Sequence, residues 1–176
     1  MDDTYIEKVL QGDIDAFRFL IKNYKDMGYS LAISIVKNEF LAQEVLQTAF
    51  IKAYSKLNTF KGTAKFSSWL YRIIVNEAFK VQNKKKSNII IYNEIYTDVI
   101  SENNSFSSVI DTDYQKYYIN EALKRLQPKE SLVLRLFYLE ENNIKDIQDI
   151  TGWSIANIKI LLHRGRINIK RHLKID

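Results

Sequence analysis

Apolar residues recur along most of the chain at intervals of three and four, the spacing of one face of a helix. After Gly12-Asp13 the pattern takes in Phe17, Leu20, Ile21 and Tyr24, with Asp13 placed as an N-cap, so a helix is expected to about Val36. A second is expected over roughly 39–57, with Phe40, Val45, Ala49, Ala53 and Tyr54 as inward candidates. The polar stretch 58–65 contains Gly62 and reads as a loop. A third helix is expected from Ser67 or Ser68 to about Asn83, ending in Lys84, Lys85 and Lys86.

At Ser87 the periodicity stops. Residues 87–112 are rich in Ser, Asn and Asp and carry no basic side chain. Three isoleucines between Asn88 and Tyr92 would suit a strand, but a lone strand in a helical protein lacks a partner, so an extended linker is expected. The pattern resumes near Tyr114 with a helix to Leu126. Pro128 opens the next, where its missing N–H costs nothing, and Leu132, Val133, Leu136 and Phe137 carry it to about Glu140. A short helix from Ile144 to about Ile150, the turn Thr151-Gly152-Trp153, and a longer basic helix capped by Ser154 and running to about Leu173 make a helix-turn-helix signature. With one proline and five glycines in 176 residues, the expected architecture is all-α. Two small helical domains, 1–86 and 113–176, are joined by a flexible linker, 87–112.

Charge sharpens this division. The net charge is +5 over 1–86, −4 over 87–112 and +4 over 113–176. Two basic blocks flanking an acidic bridge suit a polyanionic partner, although many soluble proteins are equally basic. No cysteine is present, which excludes disulfides and thiolate metal sites. The charged N-terminus does not resemble a signal peptide, and no run of eighteen apolar residues occurs, so a cytoplasmic location is expected. His163 and His172 are nine apart with no carboxylate cluster nearby, so no metal or cofactor is expected. Nothing resembles a phosphate loop, nucleophile elbow or metal quartet, and neither an enzyme nor a small-molecule substrate is expected.

Two helices carry candidate chemistry. On the last, Ile155, Ile158, Leu162, Gly165 and Ile169 share one stripe, and the other surface presents Asn157, Lys159, His163, Arg164, Arg166, Lys170 and Arg171. In a helix-turn-helix the residues near the N-terminus would enter the major groove and the later cations would lie over phosphates. A solvated helix closing a bundle would look similar, its basic end complementing the helix dipole. On the third helix Phe66, Leu70, Ile73, Ile74, Ala78 and Val81 share a sector, beside a strip of Trp69, Arg72, Asn76, Lys80 and Asn83. An aromatic, amides and cations along one strip suit unpaired DNA, and Phe60 beside Lys61-Gly62 would wall a pocket for an extruded base. Trp69 and Phe60 equally suit a core.

These residues together resemble a family. Phe60 to Asn76, FKGTAKFSSWLYRIIVN, is similar to region two of the extracytoplasmic-function (ECF) sigma factors. Leu41 to Phe50, LAQEVLQTAF, resembles that family's polymerase-binding helix; Gly12-Asp13 with Ala16-Phe17 resembles its opening; Asn157 to Arg166, NIKILLHRGR, resembles its closing helix. The resemblance implies that region two binds core RNA polymerase through Gln43, Glu44, Gln47 and Phe50. It implies that region two opens the minus-ten element of promoter DNA, with Phe60 and Asn76 holding a flipped base; Lys61 of the loop and Trp69, Arg72 and Lys80 of the same strip complete the expected minus-ten surface. Region four would read the minus-thirty-five element through Asn157, Lys159, His163, Arg164 and Arg166. An anti-sigma factor, in some cases membrane-bound, is the expected regulator. The chain departs from the family where acidic positions are Leu41, Gln43 and Thr48, making the polymerase helix less acidic. A helix-turn-helix regulator that is not a sigma factor would account for 113–176 but would leave 60–76 as plain core.

Overall fold

A computed structural model describes residues 2–92 and 112–173, with side chains at 2–85 and 119–171. Among the described residues eight α-helices run in order: α1 (Asp2–Leu10), α2 (Ile14–Val36), α3 (Glu39–Lys56), α4 (Phe66–Tyr92), α5 (Thr112–Arg125), α6 (Pro128–Leu134), α7 (Ile144–Thr151) and α8 (Ile155–Leu173). A single 3-10 turn, Leu57–Thr59, follows α3, and a π-helical turn, Arg135–Leu139, continues α6.

Local chemistry sets most of the boundaries. The Asp13 carboxylate accepts the Asp15 and Ala16 N–H groups at the start of α2, as the sequence predicts. Asn38 caps α3, and Asn143 with Asp146 forms a capping box on α7. Gly152, at φ 73°, ends α7 in the left-handed conformation that makes the tight turn. Ser154 Oγ accepts the Asn157 N–H and starts α8.

Two boundaries differ from expectation. Helix α1 was not foreseen; it lays Tyr5, Ile6 and Val9 on α2, and the Tyr5 and Phe19 rings stack at 3.7 Å. Helix α4 continues through Ser87 to Tyr92, into the expected linker. No Gly or Pro interrupts 66–92, and β-branched residues cost a helix only tenths of a kcal/mol each, up to about 0.7. The remainder of that linker, 93–111, lies outside the described residues.

Helices α2, α3 and α4 pack together around Leu20, Leu31, Ile35, Val45, Leu70 and Ile74. Helices α6, α7 and α8 enclose Leu132, Leu136, Ile147, Ile150 and Ile158. Gly165 lets α8 approach α6 closely: a Cβ there would stand 2.9 Å from Leu134 Cδ1. The two halves are not isolated from each other. Helix α7 packs on α4 and α6 on α2, and the buried apolar cluster is continuous across both.

Candidate nucleic-acid and partner interfaces

Helix α3 turns Ala42, Val45, Ala49 and Ala53 inward. Its outer face carries Phe40, Glu44, Gln47, Ile51 and Tyr54, spaced by four, three, four and three, with Gln43 exposed beside them. Phe40 is 69% exposed and Ile51 71%. Phe40 and Tyr54 were expected to face inward; the alanine side of α3 fits the tight junction with α2 and α4, and the large rings point out. Phe50 departs in the other direction. It is 8% exposed and meets Phe17 edge-on at 6.5 Å, so its ring belongs to the core rather than to the outer face. Glu44 and Gln47 are therefore flanked by Phe40 and Ile51, which sequence reasoning missed. Their only signal was a period shared with those two polar residues.

Helix α4 is fastened to α3 by Lys52 and Glu77, 2.6 Å apart. Its buried side holds Phe66, Leu70, Ile74, Val75 and Ala78, with Ile73 and Val81 half-buried. Arg72, Asn76 and Lys80 are exposed, as the helical periodicity predicts, and Lys61 is exposed in the preceding loop. Phe60 and Trp69 are half-buried, packed on one side and open on the other. Their ring centroids are 5.5 Å apart, and each lies 5.6 Å from Phe66. Tyr24 stands against Phe66 at 5.5 Å and donates its hydroxyl to Asp2. Burial and that carboxylate raise the Tyr24 pKa, so the hydroxyl keeps its proton and ties α1 to the aromatic cluster. The loop reaches this cluster through Gly62, whose φ of 67° an ordinary side chain rarely adopts.

On α8 the packed stripe is Ile158, Leu161, Leu162 and Gly165, with Ile169 half-buried. Ile155, expected in that stripe, is 44% exposed; it starts the helix in the turn before α8 settles on α6, and Leu161 is buried in the stripe. Lys159, His163 and Arg164 are exposed on the far side, and Asn157 is half-buried. Arg166 is exposed but leans back, donating Nε to the Leu162 carbonyl at 3.2 Å and Nη1 to the Tyr138 hydroxyl at 3.4 Å. Asn168 donates to the buried Glu130 carboxylate at 2.9 Å and locks α8 on α6.

Arg164 makes a clean test of this helix. If it reads a base edge, Arg164→Ala should cost about 1–3 kcal/mol of DNA affinity and relax preference at one position. If it meets phosphate, binding should weaken evenly across sequences, and the salt slope should fall by about one. Titrations at several salt concentrations separate these outcomes, and unchanged affinity would remove α8 from the interface. Among the described residues no helix is long and apolar enough to cross a membrane, and no group of His, Asp and Glu is placed to hold a metal ion.

Residues 20–87 match the family model of sigma-70 region 2, and residues 116–169 match that of sigma-70 region 4. The chain is 28% identical over 177 residues to the ECF RNA polymerase sigma factor SigW of Bacillus subtilis, covering 96% of this chain and 95% of SigW. It is 32% identical over 134 residues to the RNA polymerase sigma-H factor of Pseudomonas aeruginosa, covering 76% of this chain and 62% of that protein. The fold is similar to that of the sigma factor RpoE of Bartonella quintana, solved with the anti-sigma factor NepR. That match has a TM-score of 0.73 at 20% identity and covers 93% of this chain and 99% of RpoE. Two region models in their natural order span α2 to α4 and α5 to α8, and the chain belongs to the sigma-70 family as a sigma factor of the extracytoplasmic-function group.

Proposed function

We propose that the α3 strip of Phe40, Gln43, Glu44, Gln47 and Ile51 is the surface that holds core RNA polymerase. In this reading the α4 strip, with Phe60 and Lys61, captures the unpaired minus-ten strand, and α8 reads the minus-thirty-five duplex. The chain supplies recognition and leaves catalysis to the polymerase, in the cytoplasm, where promoter DNA lies. The observation that carries the reading is the outer face of α3: two large apolar side chains, Phe40 and Ile51, stand in water on either side of Glu44 and Gln47 and flank the segment, Leu41 to Phe50, that resembles the family's polymerase-binding helix. The Bartonella relative was solved with an anti-sigma factor, and a partner of that kind is assigned to this chain as its regulator.

The experiment is a pull-down with core polymerase alongside transcription from a promoter library. Glu44→Lys combined with Gln47→Ala should weaken polymerase binding and leave the thermal midpoint in place, because both residues are exposed. Parental polymerase affinity in that double variant would overturn the assignment. DNA binding by the free chain with no polymerase-dependent transcription would point to a helix-turn-helix regulator instead.

A further inference from the structure

A cavity of about 250 Å³ lies where α2, α5 and α6 meet, and none of the surfaces assigned above uses it. It has room for roughly eight groups the size of a water molecule, at about 30 Å³ each. Ile33 of α2 and Leu123 of α5 give it an apolar wall. Ser34 of α2, Asn120 of α5, Ser131 of α6 and Arg135 supply polar lining. Arg135 opens the π-helical turn, one turn after Ser131, and such turns inside helices are frequent at functional sites.

Two buried groups in that lining lack what burial demands. Ser131 is fully buried, and its hydroxyl has no hydrogen-bond partner in the protein. A buried hydroxyl left unsatisfied is costly and rare. Arg135 is 7% exposed, and its guanidinium donates Nε to the Ser34 hydroxyl at 2.8 Å and Nη2 to the Asn120 amide oxygen. Both acceptors are neutral, and a guanidinium has further N–H groups to give. Burial lowers the Arg135 pKa, and the Glu140 carboxylate offsets part of that effect without forming an ion pair. Positive charge gathers beside the site: burial, with Arg135 and Lys124 nearby, pulls the Lys37 ammonium down to about 7. Of the two carboxylates in the lining, Glu121 is taken up by Lys124 at 2.6 Å, and Glu39 makes no ion pair among the described residues.

We infer that this cavity is a binding site for a small organic carboxylate, held by the Arg135 guanidinium and the Ser131 hydroxyl with its apolar tail against Ile33 and Leu123. A carboxylate matches the planar fork of a guanidinium, supplies the negative charge that the neutral partners of Arg135 do not, and accepts from a hydroxyl. Glu39 suits an ammonium on the same molecule, so a short-chain α-amino acid satisfies the lining at both ends. The inference stands apart from the sigma-factor reading, because it concerns the free chain alone.

The probe is L-valine, which is of about the cavity's size, added to the full chain. Isovalerate is the same skeleton without the ammonium, and isobutylamine is the same skeleton without the carboxylate. At a roughly tenfold excess over its Kd, L-valine should raise the thermal midpoint by about 3–5 °C, and calorimetric titration should give one site per chain. Isovalerate should also bind, and isobutylamine should not bind where L-valine saturates. Ser131→Ala removes a hydroxyl that has no partner, so the free chain should keep or raise its midpoint while L-valine binds roughly fivefold weaker. Asn120→Asp offers Arg135 a carboxylate from within the chain and should weaken binding about tenfold or more, again without lowering the midpoint. Should Asn120→Asp fail to fold, Ser131→Ala decides alone. Neither heat nor a midpoint shift with either acid at millimolar concentration overturns the site. So does isobutylamine binding as well as L-valine, which would leave Arg135 without a part in recognition. A Ser131→Ala chain that melts earlier and binds L-valine like the parent overturns it too, because the hydroxyl would then serve the fold and not a ligand.

Discussion

Phe50→Ala is expected to lower folding stability by about 3–5 kcal/mol, the cost of emptying a buried aromatic site, and to lower it whether or not polymerase is present. Sequence resemblance places Phe50 in the polymerase-binding segment, yet its ring is buried and meets Phe17 edge-on, with Phe17 also 5.1 Å from Tyr54. The surrounding side of α3 is built from Ala42, Ala49 and Ala53, all fully buried. Such small neighbours already sit at close approach, and they have no side-chain reach with which to refill the hole. Urea titration reads the loss as a lower midpoint with an unchanged slope. Glu44→Lys with Gln47→Ala should do the reverse, keeping the midpoint and losing the partner. A Phe50→Ala chain with the parental midpoint and a selective polymerase defect would return the ring to the binding surface.

That division between Phe50 and Phe40 marks where sequence reasoning stops. Hydrophobic periodicity reports that a side chain avoids water, and it cannot distinguish the chain's own core from a partner. Phe40 and Tyr54 were therefore read inward, while Ile51 drew no notice. Features set by nearest neighbours were legible: the Asp13 cap, the opening at Pro128, the Gly152 turn and the Ser154 cap each depend on a few consecutive residues. The exposed strip of α4 was legible for the same reason, since one helical period fixes which residues share a face. Helix α1 offered only Tyr5, Ile6, Val9 and Leu10 over nine residues, too short a run to establish a period. The contact between the two halves, α7 on α4 and α6 on α2, was invisible because its partners are far apart in sequence. Arg135 and Ser34 are 101 residues apart, and Lys37 and Leu123 are 86 apart. An arginine within an apolar helix reads locally as a surface charge, and only the tertiary fold shows it buried.

The prediction that bears most directly on the α4 strip concerns promoter opening. Asn76→Ala and Phe60→Ala should both form closed complexes and then separate the strands slowly, because an amide hydrogen bond or a stacked base becomes available only once the base has left the duplex. Losing one base-stacking ring should cost about 1–3 kcal/mol at that step, on the order of a tenfold slower opening. The two variants differ in what else they remove. Asn76 is exposed, so its alanine variant should keep the parental thermal midpoint. Phe60 also packs on Phe66 and Trp69, so its variant should lose stability as well as rate. A pre-melted template separates the two effects, since unpaired bases bypass the opening step but do nothing for a weakened aromatic cluster. Permanganate reactivity of promoter thymines, on a promoter the parental chain opens, gives the rate, and thermal unfolding gives the correction for Phe60. A folded Asn76→Ala chain that binds polymerase and opens that promoter at the parental rate would remove Asn76 from strand separation, and the exposed strip of α4 would then be a solvated helix face.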